Sequence, residues 1–334
     1  MTETQKAMVD LKYKLEHGLF VEKNKITYEE WYKTWMLEYK RNRVKNTTYN
    51  EYQKYYNSML KKFIGDKKLV DIRVDHIQKM YNEWVEKEYA SSSIKVVSSV
   101  LNGSFKQAVK NGLIERNPVE LADKPRSEKR KRKAPMTKEQ QRLFMEYARE
   151  SYLYNLFEVM LRTGMRSGEI RGLKYIDIDK RNKVIHVRRT LVYIEKQGYF
   201  ENTPKSQSSI RDIPLTKETL SFLDRQKDFW GTGIRNIKGY IFCNELGQEL
   251  SRDRVQSEID RITKCIREIK PDFPDLTPHT FRHTFATRAI EAGMQPQVLK
   301  TIMGHSTLSM TMDLYSHVLP DVKQEAMKAI ESAF

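Results

Sequence analysis

A run of basic residues near the middle of the chain limits how its 334 residues can fold. Seven of the ten residues from Lys124 to Lys133 are lysine or arginine, and Pro125 and Pro135 lie near its two ends. So dense a set of like charges favours a solvated, extended segment over a packed element. The run therefore predicts an interdomain linker over residues 120–135, with one domain on each side.

Four helical patterns precede this linker and predict a compact helical domain over residues 25–119. Thr27 and Glu30 have the spacing of a capping box, and Trp31 and Trp35 follow on one face of the helix that it would open. The predicted starts of the other three helices are Thr48, Asp75 and the serines at positions 91–93. Residues 1–24 show a further helical pattern ahead of this domain.

The segment after the linker, residues 136–319, combines helical patterns with short strand-like runs. Thr137 and Gln140 form another capping box at its start. An amphipathic pattern over residues 320–334 predicts a short tail helix. The predicted fold class is mainly α with a small β-sheet (α+β).

A polar stretch from Pro204 to Ser209 separates the strand-like residues 184–194 from a second run at residues 210–215. Polar residues between two strand-like runs are typical of a hairpin. We therefore expect a hairpin here, with Lys205 near its tip.

Composition limits the classes of function. Lysine and arginine number 60 against 44 aspartates and glutamates, and the resulting net charge of +16 favours a polyanionic partner. No apolar run approaches the roughly 20 residues of a membrane-spanning helix, and the polar start is unlike a secretory signal. Cys243 and Cys265 lack metal-ligand spacing, and no nucleotide-binding loop is present. We expect a cytoplasmic protein without membrane contact, metal or other cofactor.

The strongest chemical signal lies in the last sixty residues. Thr277 and Pro278 indicate a helix start, and His279 and Arg282 follow three residues apart, so both would lie on one helix face. A guanidinium there suits a phosphate oxygen. His305 follows in Met-Gly-His, and Tyr315 comes ten residues later. A nearby positive field would favour its phenolate form, so this pattern predicts attack on a phosphodiester.

A second arginine stands in the motif Thr-Gly-Met-Arg-Ser-Gly-Glu after an apolar helical stretch. Gly164 permits a tight backbone turn that would present Arg166 at an element boundary. Glu169 would then orient the guanidinium of Arg166 as a supporting partner.

Together, these motifs resemble those of the tyrosine recombinases, the site-specific integrases of phages and mobile elements. The matching residues, in chain order, are Arg166, Lys205, His279, Arg282, His305 and Tyr315. Each motif alone is weak, but their order over about 150 residues is specific to the family. At two positions of these motifs the chain differs from many members of the family: Gly168 replaces a serine, and Met303 replaces a leucine. Neither position takes part in the reaction.

The resemblance implies a helical core-binding domain, a mixed α/β catalytic domain and a defined reaction. Tyr315 would attack the scissile phosphorus to give a covalent 3′-phosphotyrosine, while Arg166 and Arg282 hold the non-bridging oxygens. Lys205 would protonate the leaving 5′ oxygen, His279 would assist proton transfer at the tyrosine, and His305 would hydrogen-bond the phosphate.

The partners that the resemblance implies are double-stranded DNA at attachment or core sites, a homo-tetramer on that DNA, and an excisionase or a host DNA-bending protein. Phosphate contacts are expected from the basic residues of the linker region, namely Lys124, Arg126, Lys129, Arg130, Lys131, Arg132 and Lys133. The alternative is that the linker makes no phosphate contacts and is only a solvated tether between the two domains.

Several alternatives remain open from the sequence. A chromosome-dimer resolvase would share every catalytic residue, a type IB topoisomerase would use similar chemistry to relax supercoils, and a DNA-binding regulator would keep the fold without the chemistry. Residues 1–24 are either the remnant of an arm-binding domain or a native helical leader. The tail helix packs either on a neighbouring protomer or on its own domain.

Overall fold

Two compact units, divided between Lys131 and Arg132, make up the chain, and the division falls within the basic run. The computed structural model describes residues 25–125, 134–194, 197–202, 209–230, 238–318 and Glu331. Outside these described residues lie the predicted helix in residues 1–24, residues 126–133 of the predicted linker, Lys205, and all of the predicted tail helix except Glu331.

The first unit is helical. Its elements are α1 (Tyr28–Thr34), which continues as a π-helix (Trp35–Lys40), α2 (Asn46–Tyr55), which continues as a π-helix (Tyr56–Gly65), a 3₁₀ turn (Leu69–Asp71), α3 (Val74–Glu86) and α4 (Ser91–Lys110). The capping box at the start of α1 is confirmed, because the Glu30 carboxylate accepts from the Thr27 backbone while the Thr27 hydroxyl accepts from the Glu30 backbone. The start of α4 at Ser91 also matches the prediction.

Two predicted helix starts are wrong. α2 begins at Asn46, so Thr48 lies inside the helix and makes no cap. α3 begins at Val74, and Asp75 lies in its first turn rather than at its cap. In both cases a basic residue with extended backbone, Lys45 or Arg73, precedes the helix, and backbone geometry has overridden the side-chain preference.

Aromatic side chains fill the core of this unit. Trp31 and Trp35 are almost fully buried, as the helical pattern predicts. The Trp31 indole donates to the Ser104 carbonyl over 3.1 Å, and the rings of Tyr32 and Tyr56 stack with centroids 4.2 Å apart. The contact with Ser104 ties α1 to α4.

The second unit contains eight α-helices and one 3₁₀ turn (Tyr175–Asp177) in the part that the structure describes. The α-helices are α5 (Lys138–Tyr147), α6 (Tyr154–Thr163), α7 (Ser167–Arg171), α8 (Lys217–Trp230), α9 (Arg252–Arg267), α10 (Pro278–Glu291), α11 (Pro296–Met303) and α12 (Ser309–Val318). The predicted capping box of Thr137 with Gln140 opens α5. Phe144, Phe157 and Phe281 meet with ring centroids 5.3 to 5.4 Å apart, and this contact fixes α10 against α5 and α6.

Five short strands form two antiparallel sheets in this unit. The strands are β1 (Ile178–Asp179), β2 (Val184–Val187), β3 (Thr190–Ile194), β4 (Gly198–Asn202) and β5 (Arg211–Pro214). One sheet has the order β1-β2-β5 and pairs Ile185 with Ile213, while β3 and β4 form a separate hairpin. The predicted mainly helical fold with small sheets is therefore confirmed.

The predicted pairing of the two strand-like runs is confirmed in part: β2 pairs antiparallel with β5, but the two strands do not form a simple hairpin, because the β3–β4 hairpin lies between them in the chain. The run over residues 184–194 is two strands, and the second pairs with β4, which the sequence pattern did not reveal. β5 therefore belongs to the sheet of β1 and β2, whereas β4 forms the separate sheet with β3. β4 has only partly buried or exposed residues, and the hydrophobic alternation that would have indicated a strand is therefore weak.

Candidate active site

The turn between α6 and α7 presents Arg166. α6 ends at Gly164, which has φ +60° and ψ +19°, the left-handed conformation that glycine adopts without strain. A Cβ at Gly164 would lie 2.3 Å from Cδ1 of Phe285, so packing against α10 also requires glycine here. The tight turn predicted from the sequence is confirmed, and it makes Arg166 the N-cap residue of α7.

Glu169 holds Arg166 at two points. One carboxylate oxygen accepts from the Arg166 backbone over 2.9 Å, and the other accepts from its guanidinium over 2.8 Å. Glu169 is buried, and its carboxylate also accepts from Arg211 over 2.9 and 3.2 Å. Burial opposes the ionisation of Glu169, but the hydrogen bond and charge of Arg211, together with the charge of Arg166, outweigh it and lower the carboxyl pKa.

Arg282 reaches the same region from the first turns of α10. The guanidinium is buried and donates to the Gly164 carbonyl over 2.7 Å and to the Met303 carbonyl over 2.6 Å. Burial and then the neighbouring charge of Arg166 lower the pKa of Arg282 to about 9. A concentrated positive charge in so dry a place favours an anionic ligand.

The C-terminal end of α11 organises all three arginines. Three consecutive carbonyls each accept from a different guanidinium: Ile302 from Arg211, Met303 from Arg282 and Gly304 from Arg166, the last over 2.8 Å. Helix C-termini carry unpaired carbonyls and partial negative charge, so this end of α11 is a suitable anchor for cations.

Two histidines border the arginines. His305 follows α11, is buried and pairs through Nδ1 with the Thr311 hydroxyl of α12 over 2.9 Å. Burial and then the charges of Arg282 and Arg166 lower its pKa to about 4. His279 lies in the first turn of α10, exposed, with its ring 5.4 Å from that of His283, and partial desolvation followed by the charge of Arg282 lowers its pKa. Both rings are therefore neutral near pH 7.

Tyr315 lies on α12 in a different setting from the one predicted. Like Phe285, Met294 and Leu314, it packs against a small apolar cluster that includes Leu299, and its hydroxyl donates to the Met294 carbonyl. Burial raises the pKa of Tyr315. The expectation that a positive field favours the phenolate is wrong for this conformation, because burial is what shifts the pKa of Tyr315, and it favours the neutral phenol.

The structure thus brings Arg166, Glu169, Arg282 and His305 together around the end of α11. Lys205 and the basic residues from Arg126 to Lys133 lie outside the described residues, and Lys124 is described at the end of the first unit. Among the described residues no group of three or more His, Cys, Asp or Glu side chains is placed to hold a metal ion. No described helix has the length and apolar character needed to span a bilayer.

Arg211 is a residue of this region that is not among the predicted site residues. It is the first residue of β5, where buried and exposed residues alternate, and it shares the buried face with Ile213. That alternation was the available signal, since an arginine on the inward face of a strand needs a buried partner.

Comparison with known proteins agrees with this geometry. The family model described as "Phage integrase family" matches residues 135–321, and that of a "Phage integrase, N-terminal SAM-like domain" matches residues 27–85. A "Tyrosine recombinase XerC-like" protein of Caldanaerobacter subterraneus subsp. tengcongensis is 26% identical, over 96% of this chain and 86% of its own length. The transposase from transposon Tn916 of Enterococcus faecalis is 27% identical, over 83% of this chain and 71% of its own length.

A solved structure gives the same result for the fold. The Tn1549 transposon integrase, bound to the right-end DNA of its transposon, superposes with a TM-score of 0.79 and 25% identity. The match covers 92% of this chain and all of that one. The chain belongs to the phage integrase family and is a tyrosine recombinase.

Proposed function

We propose that this recombinase cleaves and rejoins double-stranded DNA at attachment or core sites through a covalent 3′-phosphotyrosine at Tyr315, and that it integrates and excises a mobile element. The observation that carries the proposal is the pairing of Arg166 and Arg282 on the successive carbonyls of Gly304 and Met303. Two guanidiniums fixed side by side suit the two non-bridging oxygens of one phosphate.

The donors needed for that phosphate are present on both arginines. A guanidinium has five N–H donors, and the contacts described above use two on each side chain. The remaining donors would bind the scissile phosphate and stabilise the charge of its pentacoordinate transition state. His305, neutral at pH 7 because of its lowered pKa, would add a hydrogen bond through the ring nitrogen that Thr311 does not occupy.

Tyr315 would be the nucleophile. Its hydroxyl must leave the Met294 carbonyl and approach the phosphate, with His279 assisting removal of the proton. Lys205 would protonate the leaving 5′ oxygen. The bond energy stays in the phosphotyrosine, and attack by a 5′-hydroxyl of a partner duplex would reverse the step and exchange the strands.

DNA binding would involve both units. We assign residues 25–119 to core-site binding, residues 120–135 to a phosphate-contacting linker and residues 136–319 to catalysis. The net charge of +16 supports a polyanionic partner for the whole chain. Because two duplexes with two cleaved strands each need four tyrosines, the active species would be a homo-tetramer, with an excisionase or a host DNA-bending protein setting direction. We place this activity in the bacterial cytoplasm, at the nucleoid.

One alternative has its own support. The relative from Caldanaerobacter is named as XerC-like and matches nearly the whole chain, which favours chromosome-dimer resolution. The two functions differ in substrate: a resolvase recombines two copies of one chromosomal site, whereas an integrase joins two different sites. Recombination assays with matched and unmatched site pairs separate them, and relaxation of plasmid without any site would indicate a topoisomerase.

The direct test uses a nicked suicide substrate that traps covalent complexes. Tyr315→Phe is expected to bind cognate DNA and form no denaturant-resistant adduct, because the nucleophilic oxygen is gone. Tyr193→Phe is the matched control, since Tyr193 is an exposed tyrosine on β3 of the same unit. An adduct formed by Tyr315→Phe would end the assignment.

A second substitution tests the phosphate-binding role of Arg166. Arg166→Lys keeps the charge but loses the planar fork, and we expect cleavage to fall by roughly a hundredfold with binding retained. Cleavage at the wild-type rate would show that Arg166 does not bind the scissile phosphate.

A further inference from the structure

Arg211 is buried between two parts of the active site. From the start of β5 it donates to both carboxylate oxygens of Glu169, over 2.9 and 3.2 Å, and its Nε donates to the Ile302 carbonyl at the end of α11. Another donor reaches the Ser209 carbonyl over 3.1 Å. With its side chain only 3% exposed, Arg211 has no free face for a nucleic-acid phosphate.

These contacts close a ring of hydrogen bonds. Arg211 donates to the Ile302 carbonyl and to the Glu169 carboxylate. The same carboxylate accepts from Arg166, whose guanidinium also donates to the Gly304 carbonyl. The ring begins and ends on the same helix terminus, two residues apart. Within it, Arg211 and Arg166 each donate to both oxygens of the Glu169 carboxylate.

We propose that Arg211 is a positioning residue for strand cleavage, which holds the Glu169 carboxylate in the orientation in which Arg166 presents its remaining donors to the scissile phosphate. This role rests on the proposed function of Arg166. It goes beyond that function, because it places control of the phosphate-binding arginine in a residue that never touches DNA. A displacement of about 1 Å in such a site is enough to slow a reaction by about a hundredfold.

Loss of Arg211 should make cleavage sensitive to acid pH. The charged groups that face Glu169 are Arg166 from its own turn, Arg211 from β5 and Arg282 from α10, and His305 lies beyond them. Burial alone would raise the carboxyl pKa, and the hydrogen bond from Arg211 is the largest effect that opposes it. Without Arg211 the pKa of Glu169 should rise, so the carboxylate would be protonated, and Arg166 released, as pH falls.

The experiment measures single-turnover cleavage of the suicide substrate between about pH 5 and about pH 8 for wild type, Arg211→Met and Arg211→Lys. We expect Arg211→Met to cleave about tenfold to a hundredfold more slowly near neutral pH and to lose further rate toward acid pH. Arg211→Lys should keep most of the rate at acid pH but not reach the wild-type rate, because an ammonium cannot bridge both partners.

Arg171→Met is the matched control for the loss of a buried arginine. Arg171 is buried in the same unit and donates to the carbonyls of Ser167, Leu191 and Leu250. Its variant is expected to lower the melting temperature and to keep the wild-type shape of the pH profile. A purely structural role for Arg211 would give the same result, and that outcome would overturn the proposal.

A double variant tests the cause of the acid loss. Glu169→Gln cannot titrate, so Arg211→Met combined with Glu169→Gln should lose the added acid sensitivity. Acid loss that persists in the double variant would contradict the mechanism. If Arg166→Lys cleaves normally, the proposed function itself fails; if Arg166→Lys is slow while Arg211→Met matches wild type, only the role of Arg211 fails.

Discussion

Replacing Gly164 with alanine tests whether the turn between α6 and α7 is set by close packing. Gly164 has φ +60°, and an added Cβ would lie 2.3 Å from Cδ1 and 2.9 Å from Cε1 of Phe285. The Gly164 carbonyl also accepts from Arg282, and Arg166 lies two residues further on. Substitution should therefore reduce both stability and cleavage.

The magnitude follows from two separate effects. A left-handed conformation costs an alanine about 1–2 kcal/mol. Overlap with the Phe285 ring adds about 1–3 kcal/mol, as other cases of overpacking do. A total of about 2–5 kcal/mol lowers the melting temperature of a unit of this size by roughly 4–20 °C.

Gly239→Ala separates the two effects. Gly239 has φ +71°, and an added Cβ would meet nothing within 4 Å, so this variant carries the backbone strain without the overlap. Thermal unfolding by circular dichroism should show a clearly larger fall for Gly164→Ala than for Gly239→Ala, and only Gly164→Ala should slow cleavage. Equal losses in both assays would refute the role of close packing.

Further predictions concern acid stability, salt and the core. The pKa of His305 is lowered from 6.5 to about 4, so the unfolded chain binds a proton more readily than the folded one. This contribution to stability is complete above the unfolded pKa and is lost as pH falls toward 4, and denaturant titrations of His305→Gln should show a weaker acid loss. Replacing all five residues 129–133 with glutamine should make the slope of log affinity against log salt less steep. The slope should change by roughly 0.9 for each phosphate that the variant no longer neutralises. An unchanged slope would identify the run as a solvated tether. Phe281→Ala, which removes the ring that packs on Phe144 and Phe157, should cost about 3–5 kcal/mol in chemical unfolding, and a cost below about 1 kcal/mol would contradict the tight packing of α10. Cleavage should survive a chelator and the absence of ATP, and inhibition that Mg²⁺ reverses would contradict the proposed chemistry.

Sequence patterns predicted those features that depend on neighbouring residues. The capping boxes at Thr27 and Thr137 and the turn at Gly164 are local, and the structure has all three. Thr48 carries the same local signal and fails, because α2 starts two residues earlier, at Asn46. A side-chain preference of about 1 kcal/mol is small enough for the surrounding backbone to override.

Most of the contacts that fix the candidate site are long-range, and most of these long-range contacts use backbone carbonyls. Arg282 binds the carbonyls of Gly164 and Met303, and any residue type supplies a carbonyl, so no motif marks these partners. The hydrogen bond from the Tyr315 hydroxyl to the Met294 carbonyl could not be predicted from the sequence for the same reason. Arg211 differs, since strand alternation indicates an inward arginine, but its partner Glu169 lies 42 residues away in the chain.

The two ends of α11 contact different groups of the candidate site: the proposed nucleophile at the N-terminal end and the arginines at the C-terminal end. Met294, two residues before the helix, accepts the Tyr315 hydroxyl, and the carbonyls from Ile302 to Gly304 hold the three arginines. Eight residues span about 12 Å, and each residue turns the helix by about 100 degrees. Deleting a single residue within the helix would rotate one set of acceptors away from its donors, although Tyr315 and the three arginines would all remain in the chain. The length of α11 is therefore constrained by both sets of contacts, and insertions and deletions among functional relatives should fall outside the helix.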